Sequence, residues 1–338
     1  MTDPSGEPPT DAPHSRAAAR RAAENASAFH DHVRAARSEF EHQIDRARAD
    51  FEQVNDRINE RTGRNLLMAI AIGLVVGGGV LAMLLFLPWG FMIFAIAVCL
   101  LGVFEFARAL QTSGRRIDIA PQLGAGAVIM LAASFLDGWT LWVLVFAGVA
   151  FILIWRLLAQ MVASDGRRAD DVLSDVLVSG FVPIYVPFLA SLALVVLSRE
   201  QGQLWVLGMI IAVVAVDTGA YASGLAFGSH PMAPRISPKK TWEGFAGGAL
   251  AALLVGILYG MFVLHLPWWA GAISGLVFLG CATVGDLGES MIKRDLGIKD
   301  MSSWLPGHGG VLDRLDSLLP SAAGALALYL LFFPLTVS

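Results

Sequence analysis

Cysteine, lysine and charge in general are scarce in this 338-residue chain. Cys99 and Cys281 are the only cysteines, and both fall inside apolar runs. Neither has a second cysteine nearby, which excludes a disulfide framework and a zinc pattern; both read as small core residues. Charged residues make up 15% of the chain, against about a quarter in a soluble domain. No basic-then-apolar leader opens the sequence, since the first apolar run begins near Leu66, so no signal peptide is expected. The patterns GxxxxGK(S/T), GxSxG and HExxH are also missing. A P-loop nucleotidase, a serine hydrolase and a zinc protease are therefore unsupported.

In place of charge there is apolar sequence: 56% of residues are hydrophobic and the mean hydropathy is +0.63. Length alone suggests about two domains. Apolar runs of about 18 residues or more recur from Leu66 onward, which predicts an all-α, polytopic integral membrane protein. Nine spans are expected, at roughly 66–87, 90–108, 119–136, 139–158, 174–197, 203–227, 242–264, 268–285 and 317–335. The fifth is interrupted by Asp175, Gly180, Pro183 and Pro187. The chain thus has three regions: a Pro- and Asp-rich tail over 1–15, expected to be disordered; a helix over 16–64; and the membrane domain over 65–338. In the middle region Phe29, Val33, Ala36 and Phe40, then Ile44, Ala47, Phe51, Val54 and Ile58, mark a narrow apolar seam with one phase slip. Such a seam suits self-association or docking on a partner, and equally an amphipathic helix lying on the membrane.

The net charge of −4 says little, whereas the placement of the basic residues says much. With the N-terminus inside, the even-numbered gaps between spans hold Arg108, Arg115, Arg116, Arg156, Arg167, Arg168, Arg235, Lys239, Lys240, Lys293, Arg294, Lys299 and Arg314. The opposite gaps hold Arg199 alone. The positive-inside rule then places the N-terminal helix and the charged 286–316 segment on the cytoplasmic side. The four lysines, Lys239, Lys240, Lys293 and Lys299, all lie in two of these segments. In a chain that otherwise uses arginine, a compact mobile ammonium looks chosen as a point charge for phosphate.

Three stretches carry candidate chemistry. In 286–316, Asp286 and Glu289 share a helix face if the eighth helix continues, and Asp313 and Asp316 repeat the spacing at the entrance to the last span. Acids on neighbouring helix ends supply oxygen ligands for a hard divalent cation such as Mg2+. Lys293, Arg294 and Lys299 would offset polyphosphate charge, and the 306–310 turn, "PGHGG", lets backbone amides approach an anion. Together these suggest phosphoryl or nucleotidyl transfer. A loop that merely obeys the positive-inside rule would explain the bases and not the acids. In "SPKKTWEG", 237–244, Ser237 and Pro238 read as N-cap and first residue of a helix, with Lys239, Lys240 and Thr241 in its first turn. That stretch suits a phosphate, or else interfacial anchoring by lysine and Trp242. Third, Asp217 stands within an apolar span, where a carboxylate costs ~3 kcal/mol or more. It should face a polar cavity or serve a structural hydrogen bond. His308 could act as a base or place an imidazole beside phosphate; His230 and His265 read as loop and interface residues.

The run Ser290-x-Ile292-Lys293-Arg294, then Lys299-Asp300, then Leu305-Pro306-x-His308-Gly309-Gly310-Val311-x-Asp313-Arg314-Leu315-Asp316 resembles the signature of phosphatidate cytidylyltransferases across its 27 positions. "DTGAY" (217–221) and "SPKKTWEG" look like that family's other hallmark stretches, and the resemblance covers about 66–338. It implies transfer from CTP to phosphatidate, giving CDP-diacylglycerol and pyrophosphate, with Mg2+ and K+ as a second cation. Carried over by position, Asp286, Asp313 and Asp316 would make or support the metal centre, and with Lys293 they form the expected catalytic set. Asp217, Ser237, Lys239, Lys240, Thr241, Glu243, Ser290, Arg294, Lys299, Asp300, His308, Gly309, Gly310 and Arg314 are the expected substrate-binding residues. The expected partners are CTP, phosphatidate, the lipid bilayer and a second copy in a homodimer, with no nucleic acid. The expected location is the inner membrane. Two other readings stand beside it: a CTP-dependent transferase or kinase acting on another lipid such as a polyprenol, and an ion-coupled transporter. A transporter would spread polar residues along several spans.

Overall fold

A backbone crossing lipid must satisfy its own hydrogen bonds, and the described residues are helical almost throughout. The computed structural model describes residues 66–163, 166–298, 300–302 and 310–336, with side chains from Val75 onward. The tail expected over 1–15 and the helix expected over 16–64 lie outside the described residues. The chain divides into Met1–Val75 and Val76–Ser338, and the helix bundle belongs to the second unit.

The helices are α1 (Leu66–Phe86), α2 (Pro88–Thr112), α3 (Ile119–Phe135), α4 (Gly138–Val162), α5 (Ala169–Pro183), α6 (Leu189–Leu197), α7 (Gly202–Phe227), α8 (Trp242–Phe262), α9 (Trp268–Asp295), α10 (Leu312–Leu315) and α11 (Leu318–Thr336). Among the described residues, seven helical stretches are long and apolar enough to cross a membrane. They are Pro88–Thr112, Gly138–Val162, Ala169–Leu197, Gly202–Phe227, Trp242–Phe262, Trp268–Asp295 and Leu312–Thr336. Val75–Phe86 and Ile119–Phe135 are apolar but shorter. Side chains such as Phe146, Leu250 and Leu254 stand exposed on the outer faces, as suits a multi-pass membrane protein whose solvent is lipid.

Local chemistry sets the helix ends. Pro88 starts α2, where a missing N–H costs nothing. Asp137 caps α4, accepting from the amides of Trp139 (2.9 Å) and Thr140 (3.0 Å). Those bonds, the Thr140 amide foremost, hold the Asp137 carboxyl below the usual carboxylate range. The interrupted fifth span is one continuous stretch, because a π-helical turn at Ile184–Phe188 carries Pro187 between α5 and α6.

One expectation is corrected. No helix starts at Ser237; Ser237–Thr241 forms strand β2, antiparallel to β1 (Pro231–Ala233), with Pro231 opposite Thr241 and Ala233 opposite Ser237. Pro238 is tolerated there because each strand of a two-stranded ribbon has an open edge. The helix begins five residues later, where Thr241 has extended backbone and its hydroxyl accepts from the Gly244 amide at 3.1 Å.

Helices α7, α8 and α9 meet through small residues. Gly244, Gly248, Ala252, Gly256 and Gly260 form a buried stripe at four-residue spacing along α8. A Cβ at Gly256 would lie 2.8 Å from the Gly275 amide nitrogen, and one at Gly219 would lie 2.8 Å from the Gly247 carbonyl oxygen. Backbones this close admit no side chain. By contrast, helices α2 to α6 pack through bulky side chains, with Val103, Ile129, Met130, Val182 and Val186 fully buried.

Candidate active site

Close packing of α7, α8 and α9 leaves a cavity of about 670 Å³ beside the β1–β2 hairpin. Asp217, Lys239, Lys240, Thr241 and Asp286 line its polar side, and Val216, Ala220, Phe245 and Ala282 its apolar side. Asp217 thus faces a polar cavity, as a carboxylate within an apolar helix requires. The two surfaces side by side suit a ligand with a charged head and an apolar body.

Helix α9 runs ten residues past the end of the eighth predicted span, to Asp295. Asp286, Glu289, Ser290 and Lys293 therefore share one face at helical spacing. Asp286 makes an ion pair with Lys240 of β2 (2.5 Å) and accepts from the Ser290 hydroxyl (3.4 Å). One turn on, Glu289 is fully buried, and Lys293 Nζ bridges Glu289 (2.7 Å) and Asp313 of α10 (3.1 Å). Asp313 also accepts from the backbone amides of Met301 (3.1 Å) and Gly310 (2.7 Å). Asp316 accepts from the Ser317 amide at 2.6 Å, and its charge acts on Asp217, Asp286 and Glu289. Its backbone presses so closely on Gly285 that any Cβ there would collide with the Asp316 carbonyl.

The predicted residues thus separate into three groups. Asp217, Lys239, Lys240, Thr241 and Asp286 come together at the cavity, with Ser290 on Asp286. Lys293 and Asp313 form a second cluster around buried Glu289, and Asp316 follows with its backbone against Gly285 of α9. The remainder serve other contacts or stand apart. Thr241 of the first group also spends its hydroxyl on the helix cap. Glu243 holds the preceding loop, bonding His230 Nδ1 (2.5 Å) and the Ser229 amide (3.2 Å). Arg294 donates to the Ile236 carbonyl (3.2 Å), bracing the hairpin against α9. Ser237 lies at the start of β2, and Asp300 and Arg314 are exposed. Lys299, His308 and Gly309 lie outside the described residues, as does the "PGHGG" turn apart from Gly310.

Among the described residues no three acids are gathered tightly enough to close around a metal ion. The donor chemistry nonetheless suits a hard cation. Asp217, Asp286 and Asp316 act on one another with the Lys240 ammonium among them, and Glu289 Oε1 is buried without a hydrogen bond. Asp313 differs, since its carboxylate already receives one ammonium and two amides.

Sequence reasoning paired Glu289 with Asp286 as a possible cation ligand but left it out of the expected site residues, and it missed Glu105 altogether. Glu105 is an acid inside an apolar span, the same signal that singled out Asp217. Residues 67–332 match the family model described as the cytidylyltransferase family. The chain belongs to that family. Similar proteins include the phosphatidate cytidylyltransferase of Mycobacterium bovis, 40% identical over 277 residues, which cover 78% of this chain and 88% of that protein. The phosphatidate cytidylyltransferase of Mycobacterium tuberculosis is 40% identical over 78% of this chain and 82% of its own. That of Mycobacterium leprae is 38% identical over 281 residues, 78% of this chain and 88% of its own. Within the matched residues, the cavity with its two lysines and the Lys293–Asp313 cluster gather the charged candidate residues.

Proposed function

We propose that this protein transfers the CMP moiety of CTP to phosphatidate, forming CDP-diacylglycerol and pyrophosphate. The observation that carries this reading is the cavity: lysines and carboxylates on one side, apolar helix surface on the other. The names of the similar proteins support the same substrates. In the reaction a lipid phosphate oxygen attacks the α-phosphorus of CTP in line; a new P–O bond forms, the bond to the β-phosphate breaks, and pyrophosphate leaves. No strong base is required, because a phosphate monoester is largely ionised at pH 7. Lys239 and Lys240 bind phosphate as point charges, and Lys293, held between two acids, is oriented toward the same chemistry. The apolar floor takes the first part of the lipid's chains.

Asp286 and Asp316 would hold Mg2+, with K+ as a second cation, and Asp313 would support them by fixing the adjoining loop. Bound there, a cation neutralises the triphosphate's charge. Nine spans, an N-terminus and active site on the cytoplasmic face of the inner membrane, and a homodimer complete the proposal. The arginine and lysine distribution supports the orientation. The pairing of lysines and carboxylates with an apolar wall in one cavity favours the transferase over an ion-coupled transporter. Purified protein incubated with labelled CTP, phosphatidate and Mg2+ should yield a lipid-soluble nucleotide and pyrophosphate. Product with a polyprenyl phosphate but none with phosphatidate would overturn the substrate assignment.

A further inference from the structure

Most of the candidate site residues come from α7 onward, yet the segment carrying Met301, Ser302 and Gly310 is anchored to a helix nearly 200 residues earlier. Glu105 sits near the end of α2 and is 3% exposed. A carboxylate buried in an apolar helix needs strong donors, and both its oxygens have them. Oε1 accepts from the Ser302 hydroxyl at 2.5 Å, and Oε2 accepts from the Leu312 backbone amide at 2.9 Å.

These bonds interleave with those of Asp313. Met301 and Gly310 donate to Asp313, while Ser302 and Leu312 donate to Glu105. At Gly310 the two carboxylates converge. A Cβ there would lie 2.8 Å from Glu105 Oε2, 3.1 Å from Ser302 Oγ and 3.2 Å from Asp313 Oδ2. An added methyl there would press on all three side chains. Asp313 in turn receives Lys293, so the chain of contacts runs from Glu105 through the loop's two ends to the ammonium beside Glu289.

We propose that Glu105 is a positioning residue for the transfer reaction. From α2 it holds Ser302 and Leu312, and so sets where Asp313 places Lys293. Glu105 lines none of the substrate cavity, so it acts through the loop rather than on the reacting atoms. The inference rests on the proposed transfer from CTP to phosphatidate. Turnover by the unaltered protein tests that reaction, and only the variants test Glu105.

The test compares Glu105→Gln, Ser302→Ala and the double variant as full-length protein in detergent, with kcat, KM for both substrates and thermal midpoint measured for each. Glutamine keeps the shape but presents an NH2 group to one of the two donors. Glu105→Gln should lower kcat about tenfold or more with KM changed less than about twofold, as expected when a group acts on the transition state alone. Ser302→Ala should lower kcat about threefold, and the double variant should be no slower than Glu105→Gln, because the pair acts as one unit. Asp175→Asn, which removes a buried acid from the same half without touching the loop, should lower the thermal midpoint and leave kcat within about twofold. The proposal is overturned if Glu105→Gln turns over normally, if the two single effects multiply in the double variant, or if Asp175→Asn loses kcat in the same proportion to its thermal loss. If Glu105→Gln does not fold, an unchanged kcat in Ser302→Ala overturns it equally.

Discussion

Helices α7, α8 and α9 touch backbone to backbone, at Gly219, Gly256, Gly271 and Gly275, whereas α2 to α6 touch through Phe106, Ile129, Val182 and their neighbours. The two regions also treat charge differently. In the first, acids and lysines gather around a cavity: Asp217, Asp286, Lys239 and Lys240 all line it. In the second, charge is buried and paired off. Asp175 is wholly buried, bonding Arg167 and the Arg116 amide, and Arg156 reaches Asp118 (3.4 Å) and Gln160 (2.7 Å). Small residues let three helices approach closely enough for their polar ends to share one space, which bulky side chains would hold apart. Large side chains and buried ion pairs make the other region a packed frame. Met301 and Leu312 are buried in the frame's apolar core, and Glu105 adds hydrogen bonds to Ser302 and Leu312.

The sharpest way to separate the regions is to remove a charge from each. Asp286→Asn should lower turnover about a thousandfold while the protein still inserts and keeps its thermal midpoint, since it removes a group acting on the reacting phosphates. Near-normal turnover would remove Asp286 from the site. Next in size is Gly275→Val, where the added side chain meets the Ala252 backbone. It should cost about 3 kcal/mol, read as a lower thermal midpoint in detergent, with activity lost along with the fold. Gly280→Ala, which has open space around it, is the matched control and should stay within about 1 kcal/mol. If both variants melt alike, close helix approach is not what holds the cavity's walls. In the frame, Asp175→Asn should cost about 2 kcal/mol, measured the same way, by leaving the Arg167 side chain with a weaker partner. The smallest effect belongs to the outer surface. Leu250→Ala, at a residue 71% exposed, should change stability, read from the midpoint, by no more than about 0.5 kcal/mol.

Much of the candidate site's arrangement was legible because its residues lie close together in the chain. Asp286, Glu289, Ser290 and Lys293 fall on one face by helical period alone, provided α9 continues past the apolar run, and it does. Asp217 announced itself as a charge in the wrong medium, and the cavity is the reason it is tolerated. The β2 strand was not legible. Ser-Pro is a good helix opening and nothing local opposes it, but pairing with Pro231–Ala233 and the Thr241 cap move the start to Trp242. Glu243 looked like part of the same phosphate site, yet its partners are Ser229 and His230 across the hairpin.

The amino-acid sequence by itself determined that this chain enters a membrane, that its four lysines gather in two segments, and which family it resembles. Those properties follow from local composition and short-range spacing, because the partition between lipid and water acts on each segment separately. Only the tertiary structure decided that Asp313 is filled by Lys293 and two amides, that Glu289 is sealed beneath it, and that Glu105 anchors the loop from α2. Each of these depends on groups far apart in the chain meeting within hydrogen-bond range, and that is set by how closely the helices between them pack.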